Sequence, residues 1–335
     1  MTTLLPPALR TARELVEPTL RSAVARLDAE TRRVGEYHFG WTDVDGAPTD
    51  AGGKALRPAM ALAATETACG TAELGVPSAA AVELVHNFSL LHDDVMDGDT
   101  SRRHRPTAWT VFGSSAAILA GDALLAVAPE VLLESDAPNA AVAVRSLLTT
   151  TRVLIAGQTA DLGFERRQDV DLTECLSMAH DKTAALLACA CSIGPLSVGA
   201  PRESVRALHA YGTELGMAFQ LVDDLLGLWG DPEVTGKPVL SDLRTRKKSV
   251  PVVHALTSGT AVGERLWELY EQPEQLTETQ LCEAAEMVRR AGSEEWTRGE
   301  CCRRLELAEA QLEVGSLGDT AALGELAEFI VRRKL

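Results

Sequence analysis

Four aspartates, Asp93, Asp94, Asp97 and Asp99, fall within seven residues of "HDDVMDGDTSRR", and Arg102 and Arg103 follow at once. The apolar run "ELVHNFSLL" stands before them. On a helix, Asp93 and Asp97 share a face one turn apart, and Asp94 lies about 100° round from Asp93. Like charges at this spacing destabilise a helix, and the negative end of the macrodipole disfavours them further. A divalent cation offsets both costs. Carboxylate oxygens are hard ligands suited to Mg2+, which keeps waters and accepts phosphate oxygens. The residues alone leave two readings open, a solvated acidic helix end and a metal site that handles a diphosphate.

A second acidic pair follows another apolar run. "GMAFQLVDDLLGLWGD" places Asp223 and Asp224 after bulky apolar residues. Two such pairs on two helices can face each other across a bundle, as helix-bundle metal sites do. The copy is imperfect: Gly227 stands where a third aspartate would, and Asp231 comes a turn later.

Cationic residues recur near both. "GGKALRP" supplies Lys54 and Arg57, "DKTAAL" supplies Lys182, and "GKPVLSDLRTRKKS" supplies Lys237, Lys247 and Lys248. Taken singly, each is compatible with a surface charge. His86 precedes Asp93 by seven residues, which puts it on nearly the same helix face about 10.5 Å away. A metal-bound diphosphate by Asp93 and a second anion by His86, Lys54 and Arg57 would then be separated by a short gap. A histidine that merely packs in the core is the alternative.

The elements that must position these groups read as helices. The 335 residues are 46% hydrophobic but only 4% aromatic, and abundant Ala and Leu favour helix over sheet. No repeat or low-complexity linker divides the chain. Helical periodicity covers residues 8–34 with a kink or split at Pro18, then "KALRPAMALAATETACG" ending at Gly70, and a helix from Pro77-Ser78 to near Gly98. Further helices are expected at about 108–134, 139–163, 172–192, 201–229, 249–257, 262–271, 278–291 and 294–333. "VGEYHFGWTDVDGAPTDAGG" reads as a loop, and no stretch alternates as a strand does.

The net charge of -16 argues against a nucleic-acid partner. It also means that local cations or a metal must reverse the sign at any anion site. Seven scattered cysteines without a CxxC pair suit thiols in a reducing cytosol better than a disulfide framework or a zinc site. The N-terminus lacks the pattern of a signal peptide. "TAALLACACSIGPLSVGA" has 18 uncharged residues, near the lower limit for a membrane span. Gly194-Pro195 breaks it, so it reads as a buried helix followed by a bend, and no transmembrane segment is expected.

Six segments in register resemble the trans-isoprenyl diphosphate synthases, the polyprenyl synthetase family. They are "GGKALRP", "ELVHNFSLLHDDVMDGDTSRRHRPT", "GQTADL", "DKTAALL", "FQLVDDLLG" and "GK…SDL…KKS". The resemblance implies an all-α isoprenoid synthase fold, a helical bundle around a central cavity. It also implies a single domain over 1–335 with roughly the first five residues flexible, a homodimer and a cytoplasmic location. Asp93, Asp94, Asp97, Asp223 and Asp224 would hold Mg2+, about three ions per site. Arg102, Lys182, Lys237 and Lys247 would neutralise an allylic diphosphate: dimethylallyl, geranyl or farnesyl. Lys54, Arg57, His86 and Arg103 would hold isopentenyl diphosphate. Gln158, Asp161, Thr183 and Gln220 also fall on motif positions.

The reaction implied is Mg-dependent head-to-tail condensation to a short all-trans prenyl diphosphate. Phe88 is bulky and sits five residues before Asp93, while Ser89 is small, and DDVMD carries no insertion. These features favour geranylgeranyl diphosphate (C20), although helix geometry puts Phe88 roughly 140° round from Asp93. Farnesyl diphosphate synthase, a class I terpene cyclase and a non-catalytic subunit of a heteromeric synthase are the alternatives. Gly227, Leu240 in place of a usual Gly, and Trp109 in place of a common His depart from the family pattern.

Overall fold

Pro7 opens the first helix, where a missing N–H costs nothing, and α1 runs Pro7–Val24 straight through Pro18. The expected split falls instead at residues 25–28. There Asp28 accepts hydrogen bonds from Glu30 N and Thr31 N and so caps α2 (Ala29–Phe39). Residues 34–39, expected in a loop, form the second half of α2, because Val34, Tyr37 and Phe39 share a buried face. Gly40, at φ 78°, ends it in the left-handed conformation.

This computed structural model describes residues 6–231, 239–272, 274–314 and 316–331. The next helices are α3 (Leu56–Cys69), α4 (Val76–Met96), α5 (Ala108–Phe112), α6 (Ser114–Leu133), α7 (Ala140–Phe164) and α8 (Leu172–Ala179). A π-helical turn, His180–Ala184, leads into α9 (Ala185–Val198), and α10 spans Arg202–Trp229. Then come α11 (Ser241–Arg244), α12 (Val250–Leu256), α13 (Ala261–Tyr270), α14 (Glu278–Arg290), α15 (Ser293–Glu313) and α16 (Ala321–Val331). The strands among the described residues form one small hairpin, β1 (Ser101–Arg102) with β2 (Arg105–Pro106). The fold is thus all-α, as expected.

Several boundaries differ from the sequence expectation for local reasons. Gly113, at φ 88°, cuts the expected 108–134 helix into α5 and α6. The π turn interrupts 172–192. Helix α9 runs through Gly194-Pro195 instead of breaking there. Gly70 stops α3, as its position in the sequence suggests.

By contacts the chain divides into two compact units, 1–151 with 186–210 and 311–329, and 152–185 with 211–310 and 330–335. In the first unit α4 pairs extensively with α6. Ala79, Ala80, Ala81, Val82, Leu84 and Val85 expose no surface, so α4 is wrapped nearly all round. Two glycines close on one threonine: a Cβ on Gly194 would lie 2.0 Å from Thr65 Oγ1, and one on Gly75 2.5 Å from it. In the second unit, Phe164, Val170, Met178, Leu221, Val222, Val250 and Val253 form one apolar cluster. Leu228, Leu243, Leu266, Leu269 and Leu281 form another.

Among the described residues, three helical stretches are long and apolar enough to cross a membrane: Ala72–Met96, Ser114–Leu133 and Ala140–Phe164. None is the segment Thr183–Ala200. Part of this apolar surface is exposed, at Ile118, Leu119 and Leu133 on α6 and at Val142 and Leu148 on α7.

The Gly194–Thr65 contact gives a direct check on the packing. Gly194→Ala should destabilise the protein by about 1–3 kcal/mol in denaturant unfolding, the usual cost of overpacking. In a Thr65→Ala background, which removes the hydroxyl in the way, the same change should cost clearly less.

Candidate active site

Helix α4 carries its chemistry at its end. Asp97 closes the helix through its N–H to Asp93 O (2.8 Å), and Gly98 turns the chain at φ 67°. Asp93 is half-buried, Asp94 is 1% exposed, and Asp97 is exposed. The β1–β2 hairpin then folds back. Its two turn residues, Arg103 (φ 53°) and His104 (φ 60°), are both left-handed, the pattern of a type I′ turn and strained for residues with a Cβ.

That turn sends the hairpin arginines to different tasks. Arg102 donates to Asp94 Oδ1 from Nε and Nη2, both at 2.7 Å. Arg105 donates to Tyr37 O (3.2 Å) and Thr42 O (2.8 Å), which anchors the hairpin. The Arg103 guanidinium lies on Gly53, where a Cβ would meet Nη2 at 2.8 Å. The Gly-Gly of "GGKALRP" is therefore room for an arginine. Ala55, left-handed at φ 52°, starts α3 and with it Arg57.

Arg57 Nη1 and His86 Nε2 are 3.1 Å apart, so Arg57 donates and the His86 ring accepts. Burial and the Arg57 and Arg103 charges hold the His86 pKa well below its usual 6.5. Beneath them Asn87 donates to Glu83 O (2.8 Å) and to Glu83 Oε1 (3.1 Å). Burial raises the Glu83 carboxyl, opposed by Arg57 and Arg103. Lys54 Nζ lies 5.5 Å from the centre of the Phe329 ring. Of the predicted anion-site residues, the first unit thus gathers Arg57, His86 and Arg103. It adds Glu83, Asn87 and His38, which the sequence reading did not name. Their signal was present, since Glu83, His86 and Asn87 are polar residues at three- and four-residue spacing in an apolar run.

The proposed chain-length residues also sit on α4. Phe88 is 4% exposed and packs edge-on against His92, ring centres 4.8 Å apart. His92 Nε2 lies 2.9 Å from Ile118 O. Ser89 turns its hydroxyl to His86 O at 2.8 Å.

The second unit holds the other motifs. Gly157 lets the π turn approach α7: its Cβ would lie 2.3 Å from Lys182 N. Lys182 pairs with Asp161. Thr183 Oγ1 donates to Gln220 Oε1 (2.5 Å), and Gln220 Nε2 donates to Asp224 Oδ1 (2.7 Å). Asp224 Oδ2 accepts from Val250 N at 2.8 Å, at the start of α12. Burial pushes the Asp224 carboxyl up to about 7, with Lys247 opposing. Asp223 beside it is exposed. The neighbouring lysines diverge. Burial would lower Lys247, but Asp161, Asp242, Asp224 and Asp223 raise it well above its usual value. Lys248 instead donates to Phe164 O and Arg167 O, capping α7. Gln158 is buried. Lys237 lies outside the described residues.

At the family departures, a Cβ on Gly227 would stand 2.5 Å from Asp242 Oδ2, so the Asp242 carboxylate covers that spot. Leu240 is left-handed at φ 62°, which is why a Gly is usual there. Trp109 Nε1 donates to Asp99 O at 2.8 Å. Among the described residues, no three His, Cys, Asp or Glu side chains converge into a ready metal cage. The donors are hard carboxylates, as Mg2+ prefers, and that ion is usually held by one or two of them plus waters and phosphate.

An all-α fold with acidic helix ends and cationic groups gathered near them in each unit points to a class, the α-helical prenyltransferases. A family model for polyprenyl synthetase matches residues 46–288, and the chain belongs to that family. It is 47% identical over 334 residues to the (2E,6E)-farnesyl diphosphate synthase of Mycobacterium tuberculosis, covering 98% of this chain and 93% of that one. It is 41% identical over 332 residues to the geranylgeranyl diphosphate synthase of the same organism, covering 97% and 93%. The crystal structure of a polyprenyl synthetase from Streptomyces coelicolor matches with a TM-score of 0.92 at 48% identity, covering 98% and 99%.

The part-buried His86 gives a pH test. An unfolded His86 takes a proton near its usual 6.5 while the folded one stays neutral. Its contribution is therefore fully present above that pH and is lost as pH falls below it. Melting temperatures between about pH 8 and pH 5 should fall less steeply for His86→Gln than for the parent protein. Parallel curves would remove this assignment.

Proposed function

We propose that the protein joins isopentenyl diphosphate to an allylic diphosphate, head to tail, to give a short all-trans prenyl diphosphate. One observation carries the choice of elongation over cyclisation. Arg57, His86 and Arg103 form a part-buried cationic centre, Arg103 at its exposed edge, in the unit that also holds the acidic end of α4. A cyclase has no second diphosphate to hold.

Asp93, Asp94, Asp97, Asp223 and Asp224 would hold Mg2+, with Arg102, Gln220 and Val250 N orienting the two buried carboxylates. When bound, the ion supplies Lewis-acid stabilisation of the leaving diphosphate. Arg102, Lys182, Lys237 and Lys247 add fixed positive charge to the same group, which weakens the allylic C–O bond. Lys54, Arg57, His86 and Arg103 hold isopentenyl diphosphate so that its double bond attacks the allylic carbon from a near-attack position. The proton then lost goes to the departing diphosphate. A homodimer in the cytoplasm belongs to the same proposal. Exposed Ile118 and Leu119 on α6 and Val142 and Leu148 on α7 are apolar groups that a second copy would cover.

For the product we propose C20, with buried Phe88 at the floor of the chain channel and small Ser89 leaving room above it. C15 is the second reading, favoured by the farnesyl diphosphate synthase relative. Incubation with Mg2+, dimethylallyl diphosphate and labelled isopentenyl diphosphate should put label into a linear prenyl diphosphate. Asp93→Ala and Asp223→Ala should each lose about a hundredfold or more in rate. Chromatography after phosphatase treatment should show Phe88→Ala making longer products and Ser89→Phe shorter ones. Unlabelled cyclic products, or lengths unchanged in both variants, would refute the respective halves.

A further inference from the structure

His38 sits near the end of α2, on a cleft it shares with Asp94, Arg102, Arg103 and Arg105 in the same unit. Its Nε2 is buried and has no hydrogen-bond partner among the described residues. The rest of the ring is accounted for. Asn87 spends its amide nitrogen on Glu83, so its oxygen is left to accept from the His38 ring, whose hydrogen bond to Asn87 favours the protonated form. With Nε2 unpartnered, Nδ1–H is the tautomer that suits the free Asn87 oxygen. The neutral ring then keeps a lone pair at the buried Nε2, beside a cleft lined with guanidinium groups. Burial and the Arg103, Arg102 and Arg105 charges keep it neutral. An orphaned buried acceptor beside arginines has no use in the empty protein, because each buried polar group left without a partner costs stability.

An anion resolves this arrangement. A diphosphate would offset the guanidinium field and supply an acceptor oxygen. We propose that His38 is a ligand of the isopentenyl diphosphate headgroup, its Nε2 donating as N–H to a phosphate oxygen in the cleft shared with Arg102 and Arg103, so that binding takes up a proton. The proton comes from solvent. No covalent bond forms or breaks. The other groups around this ring are Asn87 and His86 on α4, Asp94 at the end of α4, and the three hairpin arginines, with Glu83 and Arg57 one step away on Asn87 and His86. Of these His86 is already bonded through its Nε2 to Arg57, which makes His38 the ring with an open position. The proposal rests on the isopentenyl diphosphate reading above and adds to it a residue and a proton.

Calorimetric titration of isopentenyl diphosphate into the full-length protein at about pH 7.5, in buffers of different ionisation enthalpy, counts protons taken up. The wild type should take up about one more proton than His38→Asn, which keeps a donor for Asn87 but nothing at Nε2. That variant should bind about tenfold more weakly, as expected for loss of a hydrogen bond to a charged group. His38→Gln restores a donor at the Nε2 position and should recover most of the affinity without the proton uptake. The KM for the allylic substrate should stay unchanged in both. Equal proton counts and affinities in wild type and His38→Asn would overturn the proposal while leaving elongation intact. Failure of the wild type to bind or elongate would overturn both. Should His38→Asn not fold, the 15N shifts of the wild-type His38 ring decide: an imidazolium in the complex supports the proposal, and a neutral ring sinks it.

Discussion

The buried pair between Arg102 and Asp94 is the constraint on which the first centre depends. Asp94 is 1% exposed at the end of an apolar helix, and an unpaired carboxylate there would be strongly destabilising. Arg102 meets it at 2.7 Å, but only because the hairpin folds back tightly. That tight turn forces Arg103 and His104 into left-handed backbone, a cost of order 1–3 kcal/mol each. The same geometry delivers the Arg103 guanidinium onto Gly53 and so toward Arg57 and His86. One ion pair thus ties the acidic motif, the arginine pair and the Gly-Gly loop into a single arrangement.

The second unit solves a like problem with different chemistry. Asp224 is also buried, at 3% exposed, yet it has no arginine. It accepts from Gln220 and from Val250 N at the start of α12, and Lys247 supplies charge from among the aspartates. Helix starts favour anions and neutral donors cost less to bury than charged ones. The two aspartates of "DDLLG" therefore differ: Asp224 is locked to the protein by hydrogen bonds while Asp223 is exposed.

Much of this was legible because motif residues obey helix spacing. The end of α4 at Gly98, the stop at Gly70 and the placing of both aspartate pairs at the close of apolar helices follow from periodicity and turn residues. What was hidden had three-dimensional causes. The second half of α2 looked like a loop because its aromatic residues mask a period that is plain only once Val34, Tyr37 and Phe39 are seen buried together. Helix α9 survives Gly194-Pro195 because Thr65 fills the space that glycine leaves. Lys247 and Lys248 are adjacent and identical in sequence, yet one faces carboxylates and the other caps α7, a split that only packing decides. His38 was invisible for the same reason, since its significance lies in Asn87 having already spent its amide nitrogen.

The departures at 227 and 240 are better understood together than as two losses. A side chain at 227 would begin 2.5 Å from the Asp242 carboxylate, so an aspartate there would meet both a steric and a like-charge penalty. Leu240 holds left-handed backbone just before α11, and Ser241 Oγ donates to Gly227 O at 3.2 Å. The strained residue, the hydroxyl and the missing side chain thus form one contact that lays Asp242 over α10. From there Asp242 adds its charge to the field that keeps Lys247 protonated. The acidic character of the second motif is then set by the fold of α11 against α10, and a third aspartate on the helix itself would compete for space already taken.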